Sequence, residues 1–322
     1  MARRACDGTG LLGAFRAAVA NLEAHVDEIN ALNVFPVPDG DTGSNMLATV
    51  RAALIEAEGT GPKATAERVA AAASFGALMG ARGNSGVITS QILRGLAEGL
   101  AGKRTFNGLD LANALDGGTR AAYGAVAKPV EGTILTVIRE ASAAAVAAAE
   151  RSNDIESVLT VTLDAAEKAV AKTPSLLPIL REAGVVDSGG QGLYRLFQGA
   201  LLFLAGRPPQ LSEASGTASA RPSVLVAHAD EGFGYETMYL LQARPGESLD
   251  VDALRSYLES IGESVLVAGD PRALKVHVHN ERPDLVIGHG LGIGSLSRIS
   301  VENLDNQARD VRETRAAEFT NG

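Results

Sequence analysis

Between Leu11 and Ile29 the apolar residues Phe15, Val19, Leu22, Val26 and Ile29 recur at spacings of four and three. That spacing predicts one amphipathic helix with a single apolar stripe. Alanine-rich, helix-favouring stretches follow at roughly 44–57, 65–80, 86–100, 109–127, 133–150, 154–172 and 191–205, set apart by Gly, Pro or Asn. With the first they make about eight helices. No alternating strand pattern precedes residue 206, so residues 1–206 read as an all-helical domain whose small side chains allow close helix approach.

The pattern then changes. Residues 207–222, "RPPQLSEASGTASARP", have almost no large apolar side chain and read as a linker. Beyond it "YETMYLLQA", "SVLVAGD", "ALKVHVHN" and "SLSRISVEN" read as strands, and 250–261 and 283–290 as helices. The order strand, helix, strand, strand, helix, strand predicts a small two-layer α+β domain of split βαβ type over 223–305. Residues 306–322 are polar and charged, and read as a tail or fraying helix.

Composition narrows the function. The 322 residues are 46% hydrophobic, enough for a large core, with a net charge of −9 and an aromatic content of 4% without Trp. A negative balance and few stacking platforms argue against nucleic acid as a partner. The single cysteine, Cys6, cannot form an internal disulfide, and no apolar run reaches the ~18 residues expected of a membrane span. Arg3 and Arg4 are not followed by a signal-type apolar stretch. A cytoplasmic location is the expectation.

The candidate chemistry gathers in "NVFPVPDGDTGSNM", residues 33–46, where Asp39 and Asp41 flank one glycine. Asp and Gly suit a tight turn, and Pro36 and Pro38 stiffen the approach, so a plain turn is one reading. A calcium loop counted from Asp39 puts Ser44 where the turn glycine belongs and Val50 where the bidentate glutamate belongs, and fails. In the third reading the two carboxylates hold Mg²⁺ for a nucleotide, while Thr42, Gly43, Ser44 and Asn45 open a helix that offers free N–H groups to phosphate. A second stretch, "GARGNSGVITSQ" at 80–91, sets Gly83, Asn84 and Ser85 before another helix. It reads either as a phosphate cradle or as a glycine-rich connection capped by Ser85. Neither stretch has the G-x-x-x-x-G-K-[ST] pattern, which excludes a Walker loop.

Four ordered motifs, "LNVFPVPDGDTGSNM" at 32–46, "GARGNSGVITSQ" at 80–91, "KPVEGTILTVIREA" at 128–141 and "VVDSGGQGL" at 185–193, resemble those of the fatty acid kinase A-type family, the ATP-binding half of fatty acid kinase. The amino-terminal domain of that family is related to the nucleotide-binding L subunit of dihydroxyacetone kinases. The resemblance implies a barrel of eight antiparallel helices that binds ATP and two Mg²⁺ ions at one end, then a smaller middle domain. Full-length relatives add a third, carboxy-terminal domain without a counterpart here. It implies that Asp39 and Asp41 bridge the Mg²⁺ ions to the phosphates, and that Thr42 to Asn45 with Gly83 to Ser85 surround the phosphate oxygens. Dihydroxyacetone kinase relatives carry a third aspartate upstream. Asn33 is the nearest polar residue, so its amide or a water would fill that place. Adenine and ribose contacts map near Gly132, Thr133, Asp187, Ser188 and Gly189. Lys128 beside them is either a phosphate contact or a solvated lysine.

The implied reaction is transfer of a phosphoryl group from ATP to a fatty acid carboxylate that a separate fatty-acid-binding protein presents, giving acyl phosphate and ADP and feeding phospholipid synthesis. His25, the only histidine before the linker, falls on the polar face of the first helix, so no histidine base is expected. A carboxylate acceptor needs none, because its pKa of ~4 to 5 leaves it ionised at neutral pH. Nothing in the alanine-rich helices marks an acyl tunnel, hence the expected partner. Three alternatives stay open: a non-catalytic nucleotide-sensing module, the nucleotide-binding component of a dihydroxyacetone kinase, and, for assembly, a homodimer.

His277 and His279 are two apart on a strand, on one face and roughly 6.5–7 Å apart along it, a spacing that suits a shared metal. Relatives often have a cysteine after the Gly-Tyr of the first strand, where Glu236 stands here. Glu236, His277 and His279 are therefore a candidate Zn²⁺ set, against the alternative of two half-exposed strand histidines without metal. His228 reads as a loop residue and His289 as a helix-end residue.

Overall fold

The computed structural model describes residues 5–207 and 232–320. Most of the 207–222 stretch and His228 lie outside the described residues. The amino-terminal unit consists of eight long helices, α1 (Gly8–Glu23), α3 (Thr42–Glu58), α4 (Ala66–Gly80), α5 (Gly83–Gly99), α6 (Gly108–Ala125), α7 (Ile134–Ala149), α8 (Ile155–Leu176) and α10 (Ser188–Leu204), with two short ones, α2 (Val26–Ala31) and α9 (Pro178–Ala183). Each long helix packs on the next, and α10 returns to α1, so the ring closes. Side-chain caps start many of them: Asp7, Thr65, Asp154 and Asp187 each accept a backbone N–H, and Asn107 with Asp110 forms a capping box.

Small residues set the spacing of the ring. A Cβ on Gly95 would stand 2.3 Å from the Gly117 carbonyl oxygen, and one on Gly76 would stand 2.5 Å from that of Ala52. Only bare backbone permits such crossings. Leu22, Ile29, Met46, Val50, Leu115, Ile138 and Ile155 are fully buried in the core. The ring also encloses an apolar cavity of about 170 Å³ lined by Phe15, Val50, Ile92, Leu96, Leu115 and Phe197 among others. Composition carries no sign of it, because the walls come from residues scattered over the whole domain.

Two expectations need correction. The helix predicted over 11–29 breaks at Ala24 and His25, although the three-and-four spacing of apolar residues runs through the bend. The break turns α2 so that Asn30 Oδ1 accepts from the N–H groups of Gly43 (2.8 Å) and Ser44 (3.2 Å) at the start of α3. His25 is half-buried at the break, with Nδ1 2.7 Å from the Asn21 carbonyl oxygen. Two short strands also precede residue 206, β1 (Cys6–Asp7) and β2 (Thr105–Phe106), which pair antiparallel.

The second unit contains β3 (Tyr235–Gln242), α11 (Val251–Ile261), β4 (Glu263–Asp270), β5 (Ala273–Asn280), α12 (Pro283–Ile293) and β6 (Ser295–Asn303). The sheet order is β4-β5-β3-β6 with antiparallel neighbours, the split βαβ arrangement. One face forms the unit's own core, with Tyr239, Leu241, Val267, Val276 and Val278 against Leu254, Leu258 and Val286. On the other face Met238, Leu266 and Ala268 pack with Ala81, Val87 and Ala125 of the helical ring. A sheet covered on both faces does not alternate between apolar and water-facing residues. His277 and His279, expected half-exposed, are 0% and 8% exposed for this reason. His289 lies in α12 and stacks on Tyr257 at 3.7 Å between ring centroids.

Residues expected to be a polar tail form α13 (Leu304–Thr320). Its first turns are docked, with Leu304 and Ala308 buried against Val37 and Phe233. These two residues stand four apart on one side of turns that are otherwise polar, which is why the composition of this segment looks solvated. No described helix is long and apolar enough to cross a membrane.

Candidate active site

The starts of α3, α5, α7 and α10 meet at one pocket on the seam between the two units. Each start carries N–H groups without partners in its own helix and the positive end of a helix dipole, so their convergence favours an anion with several charges. Side-chain hydrogen bonds tie three of these starts together: Ser188 Oγ donates to Thr42 Oγ1 at 3.0 Å, and Ser85 Oγ donates to the Thr42 carbonyl at 3.3 Å. Asp187 caps its own helix, accepting from Gly190 N at 2.7 Å. Burial pushes its carboxyl up to about 7.

The acidic elbow enters from the side. Gly40, at φ +69°, supplies a left-handed step that side chains rarely adopt, and so lets its two neighbours turn toward the same pocket. Asn33 donates to Asp39 Oδ1, and Asn45 Nδ2 donates to Asp41 Oδ2 at 2.7 Å. Gly83, at φ +56°, lies where a Cβ would be 2.4 Å from Asn45 Nδ2, so the second loop presses directly on the first. Burial first, then the charge of Asp41, raises the Asp39 carboxyl to about 8. Burial also raises Asp41, and the Glu236 charge adds to both. Two crowded acids of this kind cannot both ionise cheaply without a cation between them.

Of the residues singled out in the sequence, Asn33, Asp39, Asp41, Thr42, Asn45, Gly83, Asn84, Ser85, Lys128, Thr133, Asp187, Ser188 and Gly189 line this pocket. Gly43, Ser44 and Gly132 do not. The N–H groups of Gly43 and Ser44 are spent on Asn30, and Gly132, at φ +83°, bonds through its N–H to Thr136 Oγ1 beneath the loop. Their role is to shape the wall. Lys128 is exposed at the rim.

Glu236 and His279 of the second unit line the same pocket. Glu236 Oε2 lies 3.7 Å from His277 Nδ1 and 3.7 Å from His279 Nε2. One ligand atom from each of the three residues falls within 4.8 Å of the others. Both ring nitrogens of His277 and Nε2 of His279 are buried without a hydrogen-bond partner. Burial holds His277 neutral, with its pKa lowered to about 3, and a neutral imidazole is the metal-binding form. The donor set and its orphaned nitrogens fit a divalent ion. Sequence reasoning separated this set from the acidic elbow by a linker, and nothing in the spacing could have joined them. It also missed Ser264, which lines the pocket at φ 50° beside a register shift in β4.

A closed helical ring joined to a small antiparallel sheet, with a cation-seeking pocket at their junction, defines a two-unit class of protein. The family comparisons give the class its name. The DAK2 domain matches residues 36–202, and the FakA-like middle domain of fatty acid kinases matches residues 232–311. The chain belongs to the DAK2-domain family. It is 39% identical over 317 residues to Protein YloV of Bacillus subtilis (strain 168), covering 95% of this chain and 57% of that protein. It is also 39% identical over 301 residues to an uncharacterized protein of Staphylococcus haemolyticus (strain JCSC1435), covering 90% and 54%. The chain therefore spans about half the length of the curated relatives it matches. The crystal structure of the dihydroxyacetone kinase of C. freundii aligns with a TM-score of 0.43 at 21% identity, covering 59% of this chain and 34% of that one.

The acid pair makes metal-free stability depend on pH. A carboxyl whose folded pKa lies above its unfolded value binds its proton more tightly in the folded chain, so the stability it contributes is complete in acid and is lost as pH rises. For Asp39 the window runs from 3.8 to about 8. The metal-free melting temperature should fall across that window, and Asp39→Asn should flatten the fall. Thermal melts at stepped pH check this, and an equal slope in the variant would count against the assignment.

Proposed function

We propose that this chain is the ATP-binding part of a kinase that transfers the γ-phosphoryl group of ATP to a fatty acid carboxylate presented by a fatty-acid-binding partner protein, giving acyl phosphate and ADP. The observation that carries the reading is the crowded acid pair at the focus of four helix starts. Family membership and the matched middle domain support the same class of chemistry.

In this reading Asp39 and Asp41 hold two Mg²⁺ ions, with Asn33 supporting Asp39. Thr42, Asn45 and Gly83 to Ser85 surround the phosphates, and Lys128 reaches them from the rim. Thr133 and Asp187 to Gly189 face the nucleoside. The bound ions supply charge neutralisation on the phosphate oxygens. A carboxylate oxygen of the acceptor forms the new bond to the γ-phosphorus as the bond to the β-bridging oxygen breaks, and ADP leaves with that electron pair. No proton has to move, which suits the histidines present among the described residues near the site: His279 and His277 face Glu236, and His25 lies on the Asn21 carbonyl.

Calorimetric titration with ADP in Mg²⁺ tests the site. Asp39→Ala and Asp41→Ala should each weaken Mg²⁺-dependent binding at least about tenfold, and unchanged binding in both would refute the ligand assignment. Incubation with ATP, Mg²⁺ and oleate should give acyl phosphate only when a fatty-acid-binding protein is added. Equal product without it would remove the partner from the scheme.

Glu236, His277 and His279 bind one Zn²⁺ ion on the same wall. Metal analysis after Zn²⁺ loading and desalting should find about one equivalent per chain, lost in His279→Ala. Equal retention by that variant would place the metal elsewhere.

A further inference from the structure

The helices of the ring end in two ways. In α1, α3, α5, α7, α8 and α10 the residue at the C-cap closes the last turn by donating its backbone N–H to a carbonyl of its own helix. The ends of α4 and α6 have no such closure, because the chain turns extended at Ala81 (ψ 132°) and Val126 (ψ 122°). Those two ends lead straight into the pocket loops, 81–85 and 126–133. Their last carbonyls are orphans that need a donor from elsewhere.

The second unit supplies it at both. Arg298 Nη1 donates to the Met79 carbonyl in the last turn of α4 at 2.7 Å, and Arg255 Nη2 donates to the Gly124 carbonyl in the last turn of α6 at 2.9 Å. A guanidinium at a helix C-terminus also meets the negative end of the helix dipole. Arg298 sits at φ 52°, within the register shift of β6 against β3. A bulge of this kind re-aims a side chain at some cost in backbone strain. Arg298 also crowds a like charge, since burial and the neighbouring guanidiniums of Arg298 and Arg82 lower Lys275 to about 8. Two local costs are thus tolerated for one bond across the seam. Beyond α6, Ala127 N donates to the Val265 carbonyl at 3.1 Å, so the 126–133 loop hangs from the free edge of β4.

We propose that Arg298 and Arg255 are positioning residues: by capping α4 and α6 from the second unit they fix the exit of the two nucleotide loops, so the ring alone does not hold a finished pocket. The functional consequence rests on the nucleotide reading above, whereas the structural one does not. The test therefore has two arms on the full chain. Without ligand, hydrogen exchange should speed up over 81–86 in Arg298→Ala and over 126–133 in Arg255→Ala, each in its own segment. With Mg²⁺, each variant should bind ADP roughly three- to tenfold more weakly, and Arg298→Lys should recover most of the loss. Arg244→Ala, which removes a bond to Gly292 within the second unit, serves as control and should change neither arm. Exchange and affinity equal to the unaltered chain in both alanine variants would overturn the proposal. If the unaltered chain binds no ADP, the nucleotide reading fails and the exchange arm alone decides the capping. Should Arg298→Ala fail to fold, Arg255→Ala and Arg298→Lys carry the same comparison.

Discussion

Two carboxylates held side by side in a partly buried bend, short of a counter-charge, are the constraint around which this molecule is arranged. The helical ring places four positive helix ends around them, yet those ends act at a distance and cannot neutralise the pair outright. The residues next to Asp39 and Asp41 are amides and another acid. A structural bend would ordinarily avoid such crowding, since one asparagine in place of either acid would relieve it. Retention of both acids makes sense where a divalent cation completes the group.

The second unit completes the enclosure. Its sheet is buried on both faces because one of them is the wall of the pocket, and that wall brings Glu236 and His279 opposite the acid pair. The first turns of α13 then press on the bend itself through Leu304, Ala308 and Val37. Ring, sheet and final helix thus all converge on residues 33–46. Polyphosphate chemistry relies on alignment and charge compensation more than on side-chain bases, and this convergence provides the alignment.

Much of this could be read from the sequence. Helix existence followed from periodicity and alanine content, and the acid pair and the Gly83 to Ser85 loop announced themselves through residue type and spacing. The strand order of the second unit was equally legible. What failed was whatever depends on a second surface. The burial of His277 and His279 requires the helical ring above them, the break at His25 serves a cap on another helix, and the docking of α13 needs Val37. Arg298 gave no local signal, because its partner is a carbonyl 219 positions away.

The central claim is electrostatic and can be measured directly by carbon-13 NMR of the aspartate side-chain carboxyls across a pH titration. In the metal-free chain the account predicts that one carboxyl of the Asp39 and Asp41 pair titrates well above the ordinary 3.8, and that Mg²⁺ with ADP returns it to the acidic range. Two ordinary titrations near 3.8 that ignore Mg²⁺ would contradict it.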